Sequence, residues 1–175
     1  GIAGMNRLIR KNVIALSGKA IEAAGDVDVL MLDKTGTITL GNREAVDIIP
    51  ATGIGIEKAA EVAMLSSISD ETPEGRSIVI YLKNRFNIRK VSFSEKEKHE
   101  IKFILFSAKT KMSGIDMVGR NIRKGSIEAM LAHVRSYQGT FPENLMKIAQ
   151  EIAKNGGTPL AVSENRMVVA VIHLK

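Results

Sequence analysis

The 175-residue chain is 45% apolar and 25% charged, with a formal charge of +6, a composition that folds into one good core or two small ones. It has no cysteine, which excludes a disulfide framework and thiolate metal sites, and His99, His133 and His173 are too scattered for a metal-ligand spacing. The basic balance invites polyanions, yet aromatic residues make up only 4%, and no RNP, KH or zinc-finger pattern occurs, so no nucleic-acid partner is expected.

From Met5 to Ala24, apolar residues recur at Leu8, Ile9, Val13, Leu16, Ala20 and Ile21, which predicts one helix ending at Gly25-Asp26. Its basic residues Arg7, Arg10, Lys11 and Lys19 fit a juxtamembrane position or a solvated face equally well. "VDVLMLD" is a continuous apolar run of the kind found in a strand buried on both faces. "ITLGNREAVDIIP" predicts a turn at Gly41-Asn42 and a second strand stopped at Pro50. Ile56 to Ile68 has a helical period, and a new helix starts at Thr72 as N-cap, with Pro73 in the first position and Glu74 at the positive end of the dipole.

"IKFILF", "MSGIDMVG" and "RNIRKG" read as three strands. Ser126 caps the helix "IEAMLAHVRSY", which Gly139 closes, and another helix runs from about Pro142 to Lys154 before "NGG". "TPLAVSENRMVVAVIHL" finishes as a hairpin about Glu164-Asn165. The order predicts an α+β fold, an antiparallel sheet of about six strands flanked by two helix pairs. No stretch reaches the eighteen or so apolar residues of a membrane-spanning helix, so this portion is expected to be soluble. There is no signal or transit peptide. The absence of methionine at position 1 and the stop within "VVAVIHLK" make both ends read as cut.

Chemistry concentrates around Asp33. A carboxylate at the carboxyl end of a buried strand sits where open sheets bind ligands, and an aspartate there can attack phosphorus to form an acyl phosphate. Lys34 supplies positive charge, Gly36 permits a tight approach, and the hydroxyls of Thr35 and Thr37 supply donors. On the residues alone, an aspartate-initiated turn accounts for the segment as well. There is no G-x-x-x-x-G-K-[ST], so a nucleotide would not be held by a P-loop, and "GIGIEKAA" lacks the third glycine of a dinucleotide fingerprint.

"DKTGT", with "GDVDVLML" before it and "ITLGN" after it, resembles the phosphorylation motif of the P-type ATPases. "GIAGMNR", "SDETPEGRSIVI", "KMSGI" and "RKGS" follow in the order found in the catalytic subunits of the potassium-transporting Kdp ATPases. The resemblance implies a nucleotide-binding domain inserted into a haloacid-dehalogenase-like phosphorylation domain. Residues 1–43 would then be a membrane-proximal linker and the first phosphorylation-domain strand, and residues 44–174 the nucleotide domain. It implies ATP as the bound nucleotide, Asp33 as the residue phosphorylated, a membrane-bound parent whose other Kdp subunits are partners, and a cytoplasmic position for this portion.

The resemblance also places adenine against Phe106 with Lys124 close by, a choice that fits the physics of stacking and of an ammonium near a π surface or phosphates. It brings in Asp70 and Glu74 at the helix start, and Ser107, Met112, Ser113, Gly114 and Gly125 as further lining. Mg²⁺ is implied at Asp33 and the main-chain carbonyl of Thr35, its shell completed by a later "GDGxND" segment outside this sequence. The alternative is a soluble phosphatase or phosphotransferase of the haloacid dehalogenase type. Those enzymes commonly carry a general acid and base two positions after the nucleophile, where Thr35 stands here.

Overall fold

A computed structural model describes residues 2–38, 41–88, 91, 93 and 99–175, with backbone alone for Ile2, Thr35 and Gly36. The chain divides into two units, Gly1–Gly41 and Asn42–Lys175. In the first, α1 (Ile2–Ile9) and α2 (Gly18–Gly25) replace the single helix expected from Met5 to Ala24. Asn12 takes a left-handed φ of 59°, which ends the first helix, and Ser17 caps the second by accepting from Ala20 N at 3.2 Å. The helices meet where Gly4 faces Ile21.

The strand expected at Val27–Asp33 does not form. Leu30 is 74% exposed and Met31 92% exposed. The correction has a plain cause: a strand apolar on both sides is stable only between neighbouring strands and beneath covering layers, and this unit offers two short helices instead. The following "KTGTI" closes a single π-type turn, Lys34–Ile38.

The second unit is built on a six-stranded, wholly antiparallel sheet in the order β1-β6-β5-β4-β3-β2. Its strands are β1 (Ala45–Pro50), β2 (Lys102–Ser107), β3 (Met112–Met117), β4 (Arg120–Ser126), β5 (Thr158–Glu164) and β6 (Met167–Leu174). Among the described residues it is covered by α3 (Ile56–Ser67), α4 (Pro73–Phe86), α5 (Ile127–Ser136) and α6 (Glu143–Lys154). Of the residues leading into β1, Gly41 has φ 104° as the expected turn requires, while Thr39 and Leu40 lie outside the described residues.

Each face of the sheet has its own core. On one, Ile115, Ile122, Val162, Ile172 and Leu174 pack against α3 and α4. Helix α3 lies between sheet and α4, so Ala59, Ala60, Val62, Ala63, Met64 and Leu65 are all buried, while Glu57, Lys58 and Glu61 near its start keep access to water. On the other face Ala161, Val168 and Val171 meet Met130, Val134, Leu145, Ala149 and Ile152. The last three recur at helical spacing along α6, with Ile148 packed beside them and Glu143, Asn144, Lys147, Gln150, Glu151 and Lys154 on its polar side. The register slips between Val162↔Ala170 and Ser163↔Val168, making Val169 the extra residue of a bulge.

The predicted caps are present. Thr72 accepts from Gly75 N at 3.1 Å and Ser126 from Ala129 N at 3.3 Å. At the end of α5 the left-handed position is held by Gln138, φ 54°, and Gly139 N donates to Val134 O at 2.7 Å, closing a Schellman motif. Gly139 itself is needed for space, since a Cβ there would collide with the carbonyl of Arg166. Gly114 is similarly pressed against the carbonyl of Ile122 in the neighbouring strand. Replacing Gly114 with alanine is therefore expected to cost about 1–3 kcal/mol through overpacking, read as a lower urea midpoint; an unchanged midpoint would mean that β3 and β4 can part without penalty.

Candidate nucleotide site

A cavity of about 500 Å³ opens on the α3–α4 side of the sheet, within the size range of small-molecule sites. Phe106, at the end of β2, and Leu160 and Leu174, from β5 and β6, give it apolar walls. Asp70, Thr72 and Glu74 enter from the turn into α4, Lys124 and Gly125 from β4, and Lys111 from the β2–β3 connection. Phe106 is 45% exposed, so one face of its ring is available to a planar ligand.

Beneath this wall lies a buried polar network. Lys124 Nζ is 2.6 Å from Asp70 Oδ2 and 3.0 Å from Ser67 Oγ. Ser113 Oγ donates to Asp70 Oδ2 or to Ser66 O, each at 3.2 Å. Thr72 donates to Asp70 Oδ1 through both its main-chain N–H, at 3.0 Å, and its hydroxyl, at 2.6 Å. The side chains of Asp70 and Lys124 are each 3% exposed. Gly75 is compulsory here, because a Cβ would strike the Asp70 side chain.

Burial opposes the charge on Asp70, but Lys124 and the Thr72 donors outweigh it and hold the carboxyl below its ordinary range. Burial lowers the ammonium of Lys124 from the usual lysine value, against the opposing pull of Asp70 and Glu74. The pair ties strand β4 to the turn that carries Glu74.

The expected site residues thus separate into groups. Phe106, Asp70, Glu74, Lys124 and Gly125 line one cavity. Ser113 stands behind the wall as a support for Asp70. Ser107, half-buried, instead turns the β2–β3 connection: its hydroxyl accepts from Lys109 N at 3.2 Å, and its carbonyl accepts from Lys111 N at 2.7 Å. Met112 packs against the α5–α6 core, and Gly114 provides close strand approach. Ser67, Lys111 and Leu160 went unread in the sequence, because nothing local marks a serine at the end of α3 as the partner of a lysine 57 residues away.

In the first unit, Asp33, Lys34 and Thr37 are exposed, and Asp33 Oδ1 accepts from the next main-chain N–H, Lys34 N, at 2.8 Å. The side chain of Thr35 lies outside the described residues. Among the described residues no three histidine or carboxylate side chains are grouped to hold a metal. One carboxylate and one carbonyl do not make the octahedral shell that Mg²⁺ requires, so the residues present here do not fit a complete magnesium site.

Replacing Lys124 with methionine keeps the stem and removes the charge, leaving Asp70 buried and unpaired; the expected loss in a urea titration at neutral pH is about 3–5 kcal/mol. The sign with pH follows from the lowered carboxyl. Its contribution is complete above the unfolded value of about 3.9 and disappears as pH falls through the lower folded-state value. The gap between parent and variant should therefore narrow in acid, and a pH-independent gap would show that packing, not charge, holds the turn.

No family model matches the chain. Over its whole length it is 57% identical to a potassium-transporting ATPase ATP-binding subunit of Enterococcus faecalis, and 55% and 54% identical to those of Clostridium perfringens and Tolumonas auensis. The chain spans 25% of each of these relatives. In fold it is similar to a zinc-transporting PIB-type ATPase, with a TM-score of 0.55 at 19% identity, covering 99% of this chain and 26% of that one. The N-domain of a copper-transporting P-type ATPase superposes with a TM-score of 0.50 at 15% identity, covering 76% of this chain and 98% of that domain. Its fold is shared with these two metal-transporting ATPase structures, and identity above one half along its entire length places the chain in the family of the potassium-transporting ATPase ATP-binding subunits, to about a quarter of which it corresponds.

Proposed function

We propose that this chain is the ATP-gripping portion of a P-type pump that drives potassium uptake, and that Asp33 is the residue it phosphorylates. The observation that carries the reading is the cavity itself: an exposed aromatic face, Phe106, set opposite a rigid acidic turn bearing Glu74. Adenine stacks on Phe106, and Glu74 accepts from its amino group or from ribose. Lys124 supports the wall with its stem, its charge already matched by Asp70.

The proposed boundary between the two parts is near residue 43, with a linker and a phosphorylation-domain strand before it and the nucleotide domain after it. The exposed "VLML" run supports this, since it is a strand-forming sequence without strands beside it. In the longer protein, a carboxylate oxygen of Asp33 attacks the γ-phosphorus while the bond to the β-phosphate oxygen breaks, giving an acyl phosphate and ADP. Lys34 offsets charge on the transferring group. Mg²⁺, when bound, would neutralise phosphate charge, with Asp33 and the Thr35 carbonyl as two of its ligands and the rest drawn from elsewhere in the longer protein. The other Kdp subunits, a membrane-bound parent and a cytoplasmic position for this portion belong to the same proposal. No described helix is long and apolar enough to cross a membrane. Thr35 at the general-base position favours a lasting acyl phosphate over a phosphatase.

The chain is expected to bind ATP with Kd on the order of 0.1–1 mM, followed by NMR titration. Shifts should gather around Phe106, Glu74 and Lys124; shifts confined to Arg7 through Lys19 would point to nonspecific polyanion binding instead. Phe106→Ala should weaken ATP by about 1–3 kcal/mol, or about 5- to 150-fold, whereas Asp33→Asn leaves affinity unchanged. Equal losses from both substitutions would overturn the division of labour.

A further inference from the structure

Among the described residues, the non-glycine positions with positive φ are Asn12, Asn87, Lys111, Gln138 and Asn165. All but one are amides, and asparagine tolerates this region because its short polar side chain bonds locally. Lys111, with φ 52°, is the exception. Its main chain is clamped at the end of the β2–β3 connection: its N–H donates to Ser107 O at 2.7 Å, and its carbonyl accepts from Ser126 N at 3.3 Å. The carbonyl fits there because residue 125 is glycine, where a Cβ would stand 2.5 Å from it. Asparagine or glycine would suit this turn better, so the backbone does not account for a lysine.

The cavity supplies the reason. Lys111 lines it, and among the described residues its ammonium has no ion pair or hydrogen bond. Of the other cations lining the cavity, Lys124 is matched to Asp70 at 2.6 Å, and Arg43 precedes β1, at the opposite edge of the sheet from β2. Lys111 stands five positions from Phe106, on the edge hairpin itself. We infer that Lys111 grips a phosphate of the bound nucleotide and sets the preference of the cavity for nucleotide over nucleoside. This rests on the nucleotide reading above and adds to it the side chain that recognises phosphate. Glu74 disfavours phosphate on the α4 side of the cavity. An ammonium acts on phosphate as a point charge and needs no fixed fork, which suits a flexible side chain reaching from an exposed hairpin. Because Lys111 is exposed, its pull is screened by solvent and salt, and the preference it sets is modest.

The test uses the whole 175-residue chain, with adenosine and ATP titrated separately to about 5 mM and followed by NMR, a range suited to weak binding. Lys111→Asn removes the ammonium and keeps a residue suited to positive φ, so its urea midpoint should equal or exceed that of the parent. It should bind ATP at least about threefold more weakly, while adenosine affinity changes by less than about twofold. Lys109→Asn makes the same change of charge on the same connection, outside the cavity lining, and should keep the parent's ratio of ATP to adenosine affinity. An unchanged ratio in Lys111→Asn overturns the inference. So does an equal fall in Lys109→Asn, which would show general attraction of a polyanion to a basic surface. If the parent responds to neither ligand, the nucleotide reading fails and the inference with it; if it responds to both and only the ratio fails to move, that reading stands and the inference alone is lost.

Discussion

The candidate nucleotide cavity depends on one buried ion pair. Lys124 and Asp70 meet at 2.6 Å with almost no access to water, which is tolerable only because Ser67, Ser113 and Thr72 satisfy the remaining donors and acceptors. Through this pair the central strand β4 fixes a turn that would otherwise be free at the surface. The turn, in turn, starts α4 at a cap made by Thr72, so the position of Glu74 follows from a contact it does not itself make. A nearly dry pair of this kind adds little net stability but specifies geometry, which is what a shallow nucleotide cavity requires.

The two units differ in how much they can satisfy by themselves. The sheet unit has an apolar layer on each face and closes its first and last strands together, Glu44 and Lys175 exchanging main-chain hydrogen bonds at 2.9 Å. The leading unit has the opposite character: its most apolar run is exposed and the carboxylate of Asp33 meets only the adjoining main-chain N–H of Lys34 among the hydrogen bonds described. A pump of the proposed kind needs this contrast. On the proposed reading, the nucleotide-binding part can close its core by itself, whereas the phosphate-accepting part would gain its geometry only in the longer protein.

Much of the sheet unit was legible because its signals are local. Thr72-Pro73-Glu74, Ser126 and Asn155-Gly156-Gly157 set helix ends through contacts within four or five residues, and the hairpin at Glu164-Asn165 announces itself by composition. The misreadings arose elsewhere. The amphipathic period from Met5 to Ala24 runs across Asn12 and Gly18, both weak helix formers, and Asn12 is where the chain turns left-handed, while "VDVLML" has the composition of a central strand whose neighbours are absent from its unit. The π-type turn at Lys34–Ile38 likewise replaces the strand-end loop that a completed sheet would impose.

The sequence alone determined the α+β class and the helix caps, which are written in residues close together, and through the resemblance of its motifs it nominated Phe106 and Lys124 for the proposed site. Only the tertiary structure decided what Lys124 does. Its ammonium faces Asp70 across 54 positions because β3 and β4 pair beside the α3–α4 turn, and no periodicity encodes such a meeting. The same packing decided that Ser113 supports Asp70 from behind rather than lining the cavity. Long-range proximity is a property of the closed sheet, created only when its two cores form.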